Sequence, residues 1–336
     1  MALPSKFAGR LFAGIGLGML VYIGMAVWAD IGAVGATFAA LPLWVVPAAC
    51  GLSFLNYVVR FQKWRRYCTL LEIELETRTS FLIYLSGLAL SVTPGKMGEV
   101  FKSWLVRKIT GVRIHHSAPI VVAERFTDLL GYLILVAIGG LRTAPEYAWM
   151  FWAMLAVCVV LLLLAGSPMF ARWAVAAAVR VPRIGARLAP RVEVAFQSTR
   201  ILLAPREIVM PTIVSVIGWG LECTGFWLIA NAVVPGSTPY LYAIFAFAFS
   251  AVAGAVMIIA PGGLGVTEFS LGKLVRDRFS KAGLALDVAR QKATGAVIVA
   301  RLCTLWFAVL VGIAALALFT KRFGAVEETP DEESAA

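Results

Sequence analysis

Long apolar blocks separated by short charged stretches organise this chain. Blocks at 11–28, 43–59, 117–140, 148–165, 208–231, 240–260 and 294–319 are each near the ~20 residues that carry a helix across a bilayer. Glycines 14, 16, 18 and 24 in the first block let neighbouring helices approach closely. The second block closes at Arg60, Lys63, Arg65 and Arg66, with Trp64 and Tyr67 expected at headgroup level. From there, 65–78 reads as an amphipathic stretch lying along the interface. The block at 81–92 is different: it is too short to cross a ~30 Å core, which predicts a half-helix or re-entrant segment.

A turn follows that short block, Pro94-Gly95-Lys96-Met97-Gly98-Glu99, and the figure returns as Pro261-Gly262-Gly263-Leu264-Gly265-Val266-Thr267-Glu268. Thr93 and Pro94 suit the start of a helix that carries Lys96, Glu99, Lys102, Arg107 and Lys108. Interrupted segments at corresponding places in two halves point to the binding site of a transporter. The halves run over 1–166 and 208–322, joined by a basic linker at 167–207 rich in arginine and expected to lie on an anionic surface. Together, 1–322 form one membrane domain, and 323–336 is an acidic tail expected to be disordered.

Charge fixes an orientation. Lys and Arg concentrate at 60–66, 172–206 and 321–322, which places these on the cytoplasmic side, whereas 30–42 and 233–239 hold none. With both turns re-entrant, the halves form an inverted repeat and both termini are cytoplasmic. Against this stands the basic stretch 273–292, which would then lie outside. The alternative lets 240–260 cross fully and moves the C-terminus outside. The recurrence of the turn favours the inverted repeat, an all-α polytopic membrane protein with 6–8 transmembrane helices plus re-entrant segments.

Composition agrees with lipid as the solvent. The 336 residues are 60% hydrophobic and 15% charged, and the mean hydropathy is +0.86. The net charge of +11 is therefore read as a match to anionic lipid headgroups, not to nucleic acid. Cys50, Cys68, Cys158, Cys223 and Cys303 fit neither a zinc set nor a disulfide framework, and His115 and His116 are adjacent. No metal or cofactor is expected. The N-terminal block is read as a retained span, not a cleaved signal.

Five charges sit where hydrocarbon is expected: Glu124, Arg125, Asp128, Glu222 and Arg301. Residues 122–127 resemble 298–303, so each half supplies a Pro-Gly turn and, some turns later, an intramembrane arginine. One reading pairs Arg125 with Asp128 and Arg301 with Glu222 as glue between helices. The other makes the arginines forks for an anionic headgroup, with Lys96, Glu99 and Glu268 nearby as counter-ions, proton carriers or helix stabilisers. No nucleophile–base pair is legible, so no enzymatic activity is expected.

Pro94–Glu99, the Glu-Arg-x-x-Asp at 124–128 and the Gly-Gly-Leu-Gly-Val-x-Glu at 262–268 resemble the lysylphosphatidylglycerol synthase transmembrane-region family of flippase-like proteins. That resemblance implies a bacterial inner-membrane protein moving a lipid, anionic or phosphate-bearing, between leaflets. The soluble aminoacyl-transfer half of full synthases has no counterpart here. A lipid-synthesis enzyme and a second copy of the chain are the protein partners it allows. Two rival readings remain: a membrane-embedded enzyme using Glu124 or Asp128 as general base, and a scaffold that recruits a synthase.

Overall fold

Backbone polar groups in hydrocarbon must be satisfied within the chain, so an apolar sequence of this length resolves into helices. The computed structural model describes residues 5–92, 98–180, 185–256 and 263–324. It is 87% helix, with no strand among the described residues. The first group of helices is α1 (Ser5–Trp28), α2 (Ile31–Ala39), α3 (Val45–Leu70), α4 (Thr77–Gly87) and α5 (Gly98–Thr110). Next come α6 (Ile114–Ser117), α7 (Pro119–Thr143), α8 (Ala148–Gly166), α9 (Pro168–Val179) and α10 (Gly185–Leu202). The last group is α11 (Pro205–Val233), α12 (Tyr240–Val256), α13 (Val266–Lys281), α14 (Leu286–Arg301) and α15 (Phe307–Phe323).

Among the described residues, two helical runs are long and apolar enough to cross a membrane: α11, with 29 residues, and the 38-residue run from Leu286 to Phe323. Two bent pairs, α1–α2 at 99° and α8–α9 at 72°, raise the number to four if each pair is one span. Helices α3 and α7, at 26 and 25 residues, also exceed ~30 Å at ~1.5 Å per residue, but charges interrupt them. Large apolar side chains such as Leu20, Trp152, Leu163 and Leu310 stand exposed on α1, α8 and α15, as they do where lipid is the surroundings.

The sequence reading of 43–78 needs correction. Helix α3 does not stop at Val59; it continues to Leu70 with Arg60, Lys63, Trp64 and Tyr67 buried. No separate interfacial helix spans 65–78, because 65–70 completes α3 and the next helix begins at Thr77. Of the charges expected outside the bilayer, Arg60 and Lys63 face inward because α7 and α11 supply their partners, whereas Arg65 and Arg66 are exposed.

The short block at 81–92 falls on the second part of α4, which begins at Thr77. Helix α4 ends at Gly87 and tightens into a 3-10 turn at Leu88–Leu90. Gly312 on α15 makes room for that turn: a Cβ there would stand 2.0 Å from the Ala89 nitrogen. On the other side, α12 and α13 meet at their ends. Gly254 and Gly263 (φ +73°) pack backbone to backbone, and a Cβ on Gly254 would lie 2.0 Å from Thr267 Oγ1. Among the described residues the two larger apolar clusters contain Trp64, Phe101 and Phe319 in one and Phe226, Phe245 and Phe279 in the other.

Candidate functional site

Helix α3 places Asn56, Arg60, Lys63 and Tyr67 three and four residues apart, hence on one face. That face meets Glu124, Thr127 and Asp128 of α7 and Ser215, Trp219 and Glu222 of α11. Arg60 Nη2 donates to Asp128 Oδ2 at 2.6 Å, and Lys63 Nζ donates to Asp128 Oδ1 at 2.6 Å. Ser215 Oγ and Trp219 Nε1 donate to the same Oδ1 at 2.9 and 3.0 Å. Lys63 also donates to Ser215 Oγ at 2.9 Å. Asp128 is therefore a fully engaged carboxylate, held by two cations and two neutral donors. The Arg60 guanidinium stacks on Trp219, 4.3 Å from the ring centroid, and Trp219 stacks on Tyr132.

Lys102 reaches from α5 to pair with Glu124, its ammonium 4.6 Å from the Trp64 ring centroid. Across the centre, Arg301 Nε donates to Glu268 Oε1 at 2.6 Å. The Gly265 N–H, left without a helical acceptor at the start of α13, donates to Glu268 Oε2 at 2.7 Å. Gly265 holds φ +89°, which only glycine takes without strain. A π-turn at Leu302–Trp306 follows Arg301 directly.

A cavity of about 150 Å³ lies between these groups, ample for a polar ligand. Arg60, Lys102, Glu124 and Arg125 line one side, and Glu222, Gly263, Thr267 and Arg301 line the other. Leu88 and Ser91 border it from the end of the short block. The fold thus brings Glu124, Arg125, Glu222, Gly263 and Arg301 to one space, with Asp128 and Glu268 directly behind their cations. Gly98 and Glu99 open α5. Pro94, Gly95, Lys96, Pro261 and Gly262 lie outside the described residues.

Of the two pairings considered from sequence, Arg125–Asp128 is present and Arg301–Glu222 is replaced. Arg301 pairs with Glu268, not Glu222. Glu222 instead accepts from Asn56 Nδ2 at 2.7 Å. Arg125 does approach Asp128, at 3.8 Å, but the close partners are Arg60 and Lys63, and Arg125 remains a third exposed at the cavity. Asn56, Arg60, Lys63, Lys102 and Trp219 are missing from the residues singled out by sequence. The signal was present for three of them: the 56–60–63 spacing marks a polar stripe on a helix.

Outside the membrane-spanning segments, burial, then Arg113 and Arg191, hold His115 below the ordinary imidazole range. It is neutral at pH 7 and adds nothing to the charge of the site.

Apolar helices around a charge-lined cavity define a membrane-embedded protein. The chain belongs to the lysylphosphatidylglycerol synthase TM region family, whose model matches residues 13–312. It is therefore an integral membrane protein with a lipid-related role. No curated protein matches it.

Proposed function

We propose that the protein is a lipid flippase, moving an anionic, phosphate-bearing lipid between the leaflets of a bacterial inner membrane. One observation carries the reading: Arg60, Lys102, Arg125 and Arg301 converge on a single cavity between the short 81–92 block and the α12–α13 junction. A phosphate there meets guanidinium forks while its acyl chains stay in lipid. Membership of a lipid-related membrane family supports it. The two candidate general bases are both engaged by cations, Glu124 by Lys102 and Asp128 by Arg60 and Lys63, which favours transport over catalysis. The helical bends and broken segments are consistent with 6–8 crossings in two inverted halves, with rearrangement around the breaks giving alternating access. Both termini are assigned to the cytoplasm. A lipid-synthesis enzyme is the natural partner, and a homo-oligomer is compatible with the exposed apolar helices.

Translocation of fluorescently labelled phosphatidylglycerol in proteoliposomes tests this. Arg125→Gln removes a partly exposed fork without stranding a fully buried partner. It is expected to slow translocation roughly 10- to 100-fold, the size of one lost charge-assisted hydrogen bond. Wild-type speed in a folded Arg125→Gln protein, or no translocation by the wild type, refutes the reading.

A further inference from the structure

Four carboxylates are buried around the cavity: Glu124, Asp128, Glu222 and Glu268. Three have cations: Lys102 for Glu124, Arg60 and Lys63 for Asp128, and Arg301 for Glu268. Glu222 has no ion pair among the described residues. Its hydrogen bond is the neutral one from Asn56. Asn56 Oδ1, also buried, has no hydrogen-bond partner. Asn56 thus gives Glu222 its donor, while its acceptor, which lies beside Gly218 one turn before Glu222, is unused. Only a protonated carboxyl has an O–H to give an acceptor.

Other groups facing Glu222 do not supply the missing charge at close range. Helix α3 contributes Tyr57 and Arg60, α7 contributes Asp128 and Tyr132, α14 contributes Arg301, and Cys223 is its neighbour on α11. Both arginines are committed to other carboxylates. From α12 the cavity is lined by Phe247 and Ala251.

Charge balance gives this a consequence. Among the described residues, the fully buried cations Arg60, Lys63, Lys102 and Arg301 equal the four buried acids when Glu222 is ionised, and Arg125, a third exposed to the cavity, is screened and stands outside this balance. Protonating Glu222 leaves one positive charge in excess, and uncompensated charge in such a site is expensive. One singly charged phosphodiester restores the balance. We propose that Glu222 is a proton-binding site, and that one proton enters the cavity with each phosphodiester headgroup. The inference rests on the headgroup reading above. The proton passes from water to the Glu222 carboxylate on loading and returns to water on release, with no other bond made or broken. The empty and loaded proteins then carry the same buried charge.

The sign follows from linkage. The ligand favours protonated Glu222, so affinity is highest in acid and falls as pH rises, by tenfold per pH unit above the range where Glu222 titrates. The probe is dihexanoyl-phosphatidylglycerol, whose phosphodiester keeps one charge throughout, added to the purified full chain in detergent between pH 5 and 9. Calorimetry reads affinity, and an indicator dye reads proton uptake. Uptake is expected to rise from zero at the acid limit, where Glu222 is already protonated, to one proton per bound lipid where the empty protein holds it ionised, together with a carboxylic-acid band in the infrared difference spectrum, which needs no variant. Glu222→Gln should bind with the acid-limit affinity at every pH and take up none. Glycerophosphoglycerol, lacking tails, run in parallel separates a lipid site from a free phosphodiester site; proton uptake with either supports the linkage. Lipid binding with pH-independent affinity and no uptake overturns the inference and leaves the headgroup reading standing. Unchanged uptake in Glu222→Gln also overturns it, because another group then takes the proton. No binding of either probe overturns both.

Discussion

At the scale of single residues, the buried charges separate into structural and ligand-facing ones. Asp128 has two cations and two neutral donors, all in the interior, so it holds α3, α7 and α11 together. Asp128→Asn leaves Arg60 and Lys63 buried without a countercharge. A loss of about 3–5 kcal/mol is expected, because breaking a buried pair costs more than the pair is worth intact. Lys63→Met should cost less, since Arg60 still meets Asp128. Unfolding in mixed SDS micelles measures both, and equal stabilities for the two variants would remove Asp128 from this role. The intramembrane charges Glu124, Arg125, Asp128, Glu222 and Arg301 were legible in sequence because their cost in hydrocarbon demands a reason. Arg60 and Lys63 were not, because a cluster with Arg65 and Arg66 at the end of an apolar block has the signature of a cytoplasmic loop. Whether such a cluster faces solvent or a carboxylate depends on α7 and α11, which are distant in sequence. The Arg301–Glu268 pairing escaped for the same reason: 33 positions separate the partners, and Glu222 was an equally good candidate on composition alone.

At the scale of elements, glycines set how close the broken segments lie to the crossing helices. Gly312 lets α15 press on the 3-10 turn at Leu88–Leu90, where a Cβ would stand 2.0 Å from backbone nitrogen. Backbone cannot step aside as a side chain can. Gly312→Ala should therefore destabilise by about 1–3 kcal/mol through overpacking and displace the short block that borders the cavity. Gly272 supplies the contrast: it is inside α13 with no atom within 4 Å of its would-be Cβ. Gly272→Ala should be neutral or stabilise by up to about 1 kcal/mol through helix propensity. Thermal unfolding of the two variants in one detergent checks both, and a Gly312→Ala protein as stable as wild type would show that the turn is free to move. The short block was readable from its length, and its end at Leu90 lies close to where the apolar run stops. The extension of α3 to Leu70 was not, since Arg60, Lys63, Arg65 and Arg66 lower the hydropathy of a helix whose inner face is satisfied by ion pairs.

At the scale of the molecule, the open question is how the second half crosses the bilayer, and α12 decides it. Its 17 residues extend about 25 Å at ~1.5 Å each, short of the ~30 Å hydrocarbon core. The helix ends near the start of α13, with Gly254 on Gly263, and we propose that the α12–α13 pair turns back inside the membrane. A pair that enters and leaves on one side contributes no crossing. The 38-residue run from Leu286 to Phe323 then crosses once and ends at Lys321 and Arg322, cations that favour the cytoplasm. If α12 instead crossed, the same count would place those cations outside. The prediction is that the 234–239 loop faces outside while residue 324 and the basic 167–207 linker face the cytoplasm. Single cysteines introduced at the exposed positions Pro235, Arg200 and Gly324, in a chain whose five native cysteines are replaced, can be labelled in intact cells with a membrane-impermeant maleimide. Pro235→Cys should react, and Arg200→Cys and Gly324→Cys should react only after the cells are opened. Reaction of Gly324→Cys in intact cells would overturn the re-entrant assignment. The two Pro-Gly turns would then enter from the same side, and the inverted relation between the halves would be lost even though the cavity between them stayed.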